Sequence, residues 1–248
     1  MTDSSTVVRP ERRADLAASL ARVRSRIADA CAAAGRDRGE VTMIAVTKTY
    51  PASDVVALVG LGVADVGENR DQEAAPKAAE AAAAGVAPRW HFIGQLQRNK
   101  AKSVVRYADV VQSVDSVRLA RALDAASGRL RDRPLDVLVQ VSIDGDAARG
   151  GTVPGSADPD VGLDPVAEAV AGVAGLRLTG LMAVAPLGWE PERAFARLAE
   201  VAAGFRARYP EATLLSAGMS GDLEMAIRYG ATHVRVGSAL LGMRPTLR

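Results

Sequence analysis

Apolar residues recur at three- and four-residue steps through Leu16, Leu20, Val23, Ile27, Cys31 and Ala34, and the run stops at Gly35. This is the stripe of a long amphipathic helix closed by a glycine. Beyond it the rhythm changes. Short, β-rich apolar runs fall at 41–47, 64–68, 90–94, 108–115, 135–143, 176–185, 212–218 and 232–238. Between them lie alanine-rich stretches of helical character at 52–59, 69–84, 98–106, 116–130, 162–174, 190–208 and 221–229, with a short tail after the last run. Strands apolar on both faces and separated by helices imply parallel βαβ units, and eight such units in about 250 residues predict a (β/α)₈ TIM barrel preceded by an extra helix. A doubly wound open sheet is the runner-up, weakened because no G-x-G-x-x-G follows the first strand. The pattern predicts one domain over 1–248, with 1–10 as a disordered tail. One connection breaks the rhythm: 144–165 is rich in Gly, Pro and Asp, has no apolar period, and predicts a long mobile loop after the fifth strand.

Composition narrows the class. The chain has 248 residues, 48% hydrophobic and 24% charged, with a formal charge of +2 spread without a basic block. Aromatics are 4%, too few for the stacking platforms of single-stranded nucleic acid, so no nucleic-acid partner is expected. The single cysteine rules out an intramolecular disulfide, and two histidines without recognisable spacing give no metal centre. The N-terminus lacks the apolar core of a signal peptide and no run is long enough to span a bilayer, so a cytoplasmic protein with no membrane partner is expected. No sustained heptad pattern calls for an obligate assembly, and a monomer is expected.

In a barrel the working groups sit at the C-terminal strand ends, and polar residues concentrate there. Lys48 ends the first apolar run in "MIAVTKTYP". An ammonium at the end of a buried strand either snorkels to water or belongs to a site that uses it. Glu68, Asn69 and Arg70 follow the second run, and Gly94, Gln95, Gln97 and Asn99 the third. These last polar residues, with Lys100, either furnish hydrogen bonds at the barrel mouth or cap the following helix. His91 reads as a packed, hydrogen-bonded strand residue rather than a general base. "SAGMSGD" and "RVGSALLG" place Met219, Ser220, Gly221, Gly237 and Ser238 just ahead of helical segments, after the seventh and eighth runs. Either loop alone is ordinary turn chemistry, but the pair stands where barrels bind phosphate. Arg235 alternates with Val234 and Val236 and so points with His233 to one face. A guanidinium there needs an acceptor, either a carboxylate such as Glu68 or a ligand.

Six segments carry a resemblance: "AVTKTYP", "GENRDQE", "WHFIGQLQRNKAK", "SVDS", "GLMAVAP" and "LSAGMSGDLEMAIRYGATHVRVGSALLG". In order and spacing the chain, over about residues 10 to 243, resembles the YggS/PROSC family of pyridoxal phosphate homeostasis proteins, which is similar to the barrel domain of alanine racemase. The resemblance implies that pyridoxal 5′-phosphate (PLP) is the cofactor and that Lys48 is its Schiff-base lysine. It further implies that Met219, Ser220, Gly237 and Ser238 bind the phosphate, that Arg235 faces the pyridine nitrogen, and that Asn69 and His91 lie in segments lining the pocket. It implies a carrier and regulator of vitamin B6 and amino-acid balance without turnover of its own, with PLP-requiring apoenzymes as recipients. The alternatives are a PLP-dependent racemase-like enzyme and a barrel enzyme for a phosphate ester. Two departures stand out: Gln112 replaces a frequent histidine before "SVDS", and Arg149 stands where many members carry lysine. The segment "TVPGSADPDVG" is also longer than usual.

Overall fold

The eight strands are all parallel, pair in chain order and close on themselves. They are β1 (Thr42–Val46), β2 (Asp65–Glu68), β3 (Arg89–Phe92), β4 (Val110–Val114), β5 (Leu135–Val141), β6 (Leu176–Ala183), β7 (Leu214–Ser216) and β8 (His233–Val236), in a computed structural model that describes residues 8–146 and 150–242. The helices are α1 (Pro10–Ala33), α2 (Ala52–Gly60), α3 (Asp71–Ala83), α4 (Ala101–Tyr107), α5 (Val117–Leu130), α6 (Leu163–Ala171), α7 (Pro191–Arg208), α8 (Leu223–Arg228) and α9 (Ser238–Leu241). The predicted barrel with an extra first helix is the observed architecture. Seven of the eight predicted runs contain one whole strand, and β3 begins one residue before its run of 90–94.

Strand alternation sorts the side chains into two shells. Ala45, Val66, Val234 and Val236 point outward and pack with Leu16, Leu20, Val23, Ile27 and Cys31, so the predicted stripe of α1 is buried against the barrel wall. Inside, Val110, Leu138 and Met182 form a small apolar plug with Leu214. Beside Ile44 and Val46 the interior also holds the buried polar side chains His91, Gln112, Ser216, His233 and Arg235, and these position the site. Closure depends on one glycine. A Cβ at Gly180 would overlap the carbonyl of Leu214, so only glycine lets β6 approach β7 in register.

Helix α1 begins at Pro10; the rest of the tail expected over 1–10 lies largely outside the described residues. The 144–165 connection departs from the expectation of a free loop. Thr152 is fully buried, donating both its N–H (2.7 Å) and its hydroxyl (2.9 Å) to the Gln140 carbonyl, and Val153 N–H reaches Val161 O at 3.0 Å. An isolated parallel bridge from Val141 to Thr152 ties the segment to β5, and a second, Val153 with Gly162, closes the segment on itself before α6. Arg149 lies outside the described residues. Among the described residues no helix is long and apolar enough to cross a membrane.

Candidate functional site

Continuing the inward alternation Ile44, Val46 past the end of β1 brings Lys48 to the barrel mouth, half-buried. It lines a cavity of about 520 Å³ together with Met219, Ser220, Arg235, Gly237 and Ser238, while Val46, Tyr50 and Ile93 supply apolar wall. Six of the eight residues implied to hold the cofactor therefore meet in one space of ligand size. The Lys48 turn is strained: Thr49 takes φ 68°, a left-handed conformation that β-branched residues rarely adopt.

Arg235 is 4% exposed, and burial pushes its pKa down to about 10, still charged at neutral pH. Glu68 is not its partner. Alternation on β2 turns Glu68 outward, where its Oε1 accepts from Lys77 Nζ at 2.6 Å and from Thr47 Oγ1 at 2.6 Å. Burial raises the Glu68 pKa, with Lys77 opposing the shift. Arg235 instead donates to neutral oxygens, Nη1 to Ser216 Oγ at 2.9 Å and Nη2 to Ala183 O at 2.8 Å. A guanidinium has five N–H groups, and the other three have no protein acceptor among the described residues. Asp222 acts on it only through space, opposing the shift, and among the described residues no carboxylate stands at ion-pair distance. A buried cation so placed beside a cavity is a group that awaits an acceptor from outside the chain.

The contact to Ser216 continues inward. Ser216 Oγ donates to Gln112 Oε1 at 2.7 Å, which turns the Gln112 amide nitrogen to His91 Nδ1 at 2.9 Å. An amide NH₂ only donates, so Nδ1 accepts and His91 carries its proton on Nε2, 2.9 Å from Asp65 Oδ1. All five side chains thus form one directed chain from cation to carboxylate through the barrel interior. His233 sits beside it, its ring centroid 6.2 Å from that of His91, and burial lowers its pKa to about 4, with His91 adding to the effect.

Directly after Ser216 the 217–222 loop is held by its own groups. Met219 N–H donates to Asp222 Oδ1 at 2.6 Å, and Ser220 Oγ accepts from Ala239 N–H at 3.3 Å, joining the two expected anion loops. Gly237 has φ −111°, open to any residue, and a Cβ there would meet Val46 only at an ordinary 3.6 Å. Its missing side chain is required neither by its own backbone angle nor by the protein's packing, and the space opens into the cavity.

Two implied residues stand apart from this space. His91 is 2% exposed and spends both ring nitrogens on the interior chain, as expected of a packed strand residue. Asn69 is half-buried at the end of β2, where its backbone lies so close to Gly94 that a Cβ at Gly94 would overlap it. Gln97 makes no side-chain cap to the 3₁₀ turn Arg98–Lys100; with Gln95 and Asn99 it lines a neighbouring cavity beside Asp115. Sequence reasoning missed Ser216, Asp65 and Lys77 as partners, and treated Gln112 only as a departure. The alternation rule places Asp65 and Ser216 on the inner face, but nothing in the linear pattern says that they connect.

Comparisons with known proteins identify the family. A family model described as alanine racemase, N-terminal domain, matches residues 18–245. The pyridoxal phosphate homeostasis protein of Mycobacterium tuberculosis is 47% identical over 253 residues, covering 95% of each chain. The protein of the same name from Escherichia coli is 39% identical over 239 residues, covering 93% of this chain and 97% of that one. The solved structure of PipY from Synechococcus elongatus with PLP bound superposes with a TM-score of 0.75 at 34% identity, covering 92% of this chain and all of that one.

Proposed function

The chain belongs to the pyridoxal phosphate homeostasis proteins of the alanine racemase N-terminal-domain family, and on that premise we propose that its barrel mouth holds pyridoxal 5′-phosphate, with Lys48 as the amine that captures it. When bound, PLP supplies an aldehyde with which a primary amine condenses reversibly, the carbonyl oxygen leaving as water. The observation that carries the reading is the meeting, in one cavity, of Lys48 and an Arg235 that hydrogen-bonds only neutral oxygens among the described residues.

The chain's own groups divide the work. Ser220, Ser238 and the unsubstituted Gly237 would hold the phosphate, with Met219 beside them. Arg235 offers N–H donors to a ring nitrogen, and because it stays charged it cannot surrender a proton outright. A ring nitrogen kept unprotonated is a weak electron sink, which disfavours general amino-acid chemistry. The one tyrosine lining the cavity, Tyr50, donates its hydroxyl to the Gly242 carbonyl at 2.9 Å rather than standing free as a base. The reading is therefore a single-domain, monomeric, cytoplasmic carrier that regulates vitamin B6 and amino-acid balance without turnover, with PLP-requiring apoenzymes as recipients.

The test is a visible spectrum of purified protein before and after borohydride, followed by mass mapping. The expected result is a yellow chromophore that borohydride removes, with the reduced pyridoxyl group on the peptide containing Lys48. Colourless preparations after incubation with PLP, or label on another side chain, overturn the reading.

A further inference from the structure

We propose that Lys77 and Glu73 of α3, together with Glu68, form a clamp that positions Lys48; the inference rests on the reading of Lys48 given above. Lys77 Nζ donates to the Thr47 carbonyl at 2.8 Å as well as to Glu68 Oε1 at 2.6 Å, and Thr47 Oγ1 donates to the same carboxylate oxygen at 2.6 Å. The pair is sealed, with side-chain exposures of 7% for Lys77 and 1% for Glu68. A buried ion pair thus grips the residue just before Lys48 by both its backbone and its side chain.

The residue just after Lys48 is held from the same helix. Thr49 N–H donates to Glu73 Oε2 at 3.0 Å. Glu73 and Lys77 are four residues apart on α3, so they share one helical face, and that face reaches both sides of Lys48. Between them the backbone carries the left-handed Thr49. Such strain persists only where the surroundings over-determine it, and the clamp is what over-determines it here.

A stability role alone explains this poorly. Buried ion pairs are often no more stabilising than apolar residues of the same volume, and here Glu68 Oε2 is left buried without a hydrogen bond. What the arrangement secures is direction. With Thr47 and Thr49 fixed, the Lys48 side chain leaves the turn toward the cavity. If the clamp opens, Thr49 relaxes to the common backbone region and that aim is lost. The Glu68, Glu73 and Lys77 spacing in "GENRDQEAAPK" then has a single physical purpose.

The experiment measures capture, separately from affinity. Protein freed of cofactor is mixed with PLP and quenched with borohydride at intervals, and mass analysis of the Lys48 peptide gives the rate of trapping. Lys77→Met alone strands a buried carboxylate, so the paired Glu68→Gln/Lys77→Met variant and the solvent-side Glu73→Ala carry the test. Both are expected to slow trapping on the order of tenfold. Glu73→Gln, which keeps an acceptor for Thr49, retains the wild-type rate. In a Lys48→Ala background the same substitutions leave PLP affinity by calorimetry unchanged. Trapping as fast as wild type, or an equal loss of affinity without Lys48, overturns the clamp. Failure of the wild-type protein itself to trap at Lys48 instead overturns the reading on which the clamp rests.

Discussion

Arg235 Nη1 lies 2.9 Å from Ser216 Oγ, and this contact heads a run of hydrogen bonds that leads from the cavity down to Asp65. The far end sets its direction, because an ionised carboxylate only accepts. With the ring proton on Nε2 for Asp65, His91 Nδ1 accepts from the Gln112 amide nitrogen, and Gln112 Oε1 accepts from Ser216. Gln112 is the middle member of the five.

Gln112→Leu leaves the Ser216 hydroxyl proton and His91 Nδ1 buried without partners. Each such group costs about 1–3 kcal/mol, so a loss of about 2–6 kcal/mol is expected from urea unfolding at neutral pH. Stability equal to wild type would show that the interior chain is not formed.

Lys48→Ala is expected to keep measurable PLP binding by calorimetry while losing all borohydride-trapped adduct. Charge-assisted hydrogen bonds contribute roughly 1.5–3 kcal/mol each, so three or four contacts to the phosphate and ring approach the ~8 kcal/mol of micromolar binding. Complete loss of binding would place the affinity in the covalent bond instead.

His233 provides a pH dependence. Burial lowers its folded pKa to about 4 from an ordinary 6.5, so between those values the unfolded chain binds more protons than the folded one. Stability from keeping this ring neutral is thus full above pH 6.5 and falls as the pH drops toward 4. Wild type should lose about 2 kcal/mol more than His233→Gln between pH 7 and pH 5, read from urea midpoints. Parallel losses in the two proteins would remove His233 as the cause.

Cys31 is 1% exposed on the apolar face of α1. A thiol reagent at neutral pH should therefore modify it only as fast as the protein opens, and promptly in denaturant. Immediate labelling under native conditions would contradict the docking of α1 against the barrel wall.

The fold was legible because its signals are local. Each strand is a short apolar run and each boundary a turn residue, and α1 is a stripe that needs only counting. Lys48, Arg235 and the 217–222 and 237–238 loops were legible as a site because barrel topology gathers strand ends, wherever they fall in the sequence. The partners were not. Glu68 sits next to Asn69 in sequence, yet alternation turns it to the helix layer and toward Lys77. The interior chain joins residues from five strands through contacts that depend on barrel closure, and side-chain connectivity of that kind has no linear signature. The 144–165 segment looked featureless because it is tied down by backbone bridges and by Thr152, rather than by apolar period.

The sealing of Lys77 by Glu68 acquires another meaning beside the chain's inventory of cations. Of 31 Lys and Arg residues, only four are lysines, at positions 48, 77, 100 and 102. Guanidines do not condense with aldehydes under ordinary conditions, and one of the four amines is closed off. The protein thus carries nearly all its positive charge in a form inert toward a reactive carbonyl, which leaves a promiscuous electrophile few side chains on which to go astray.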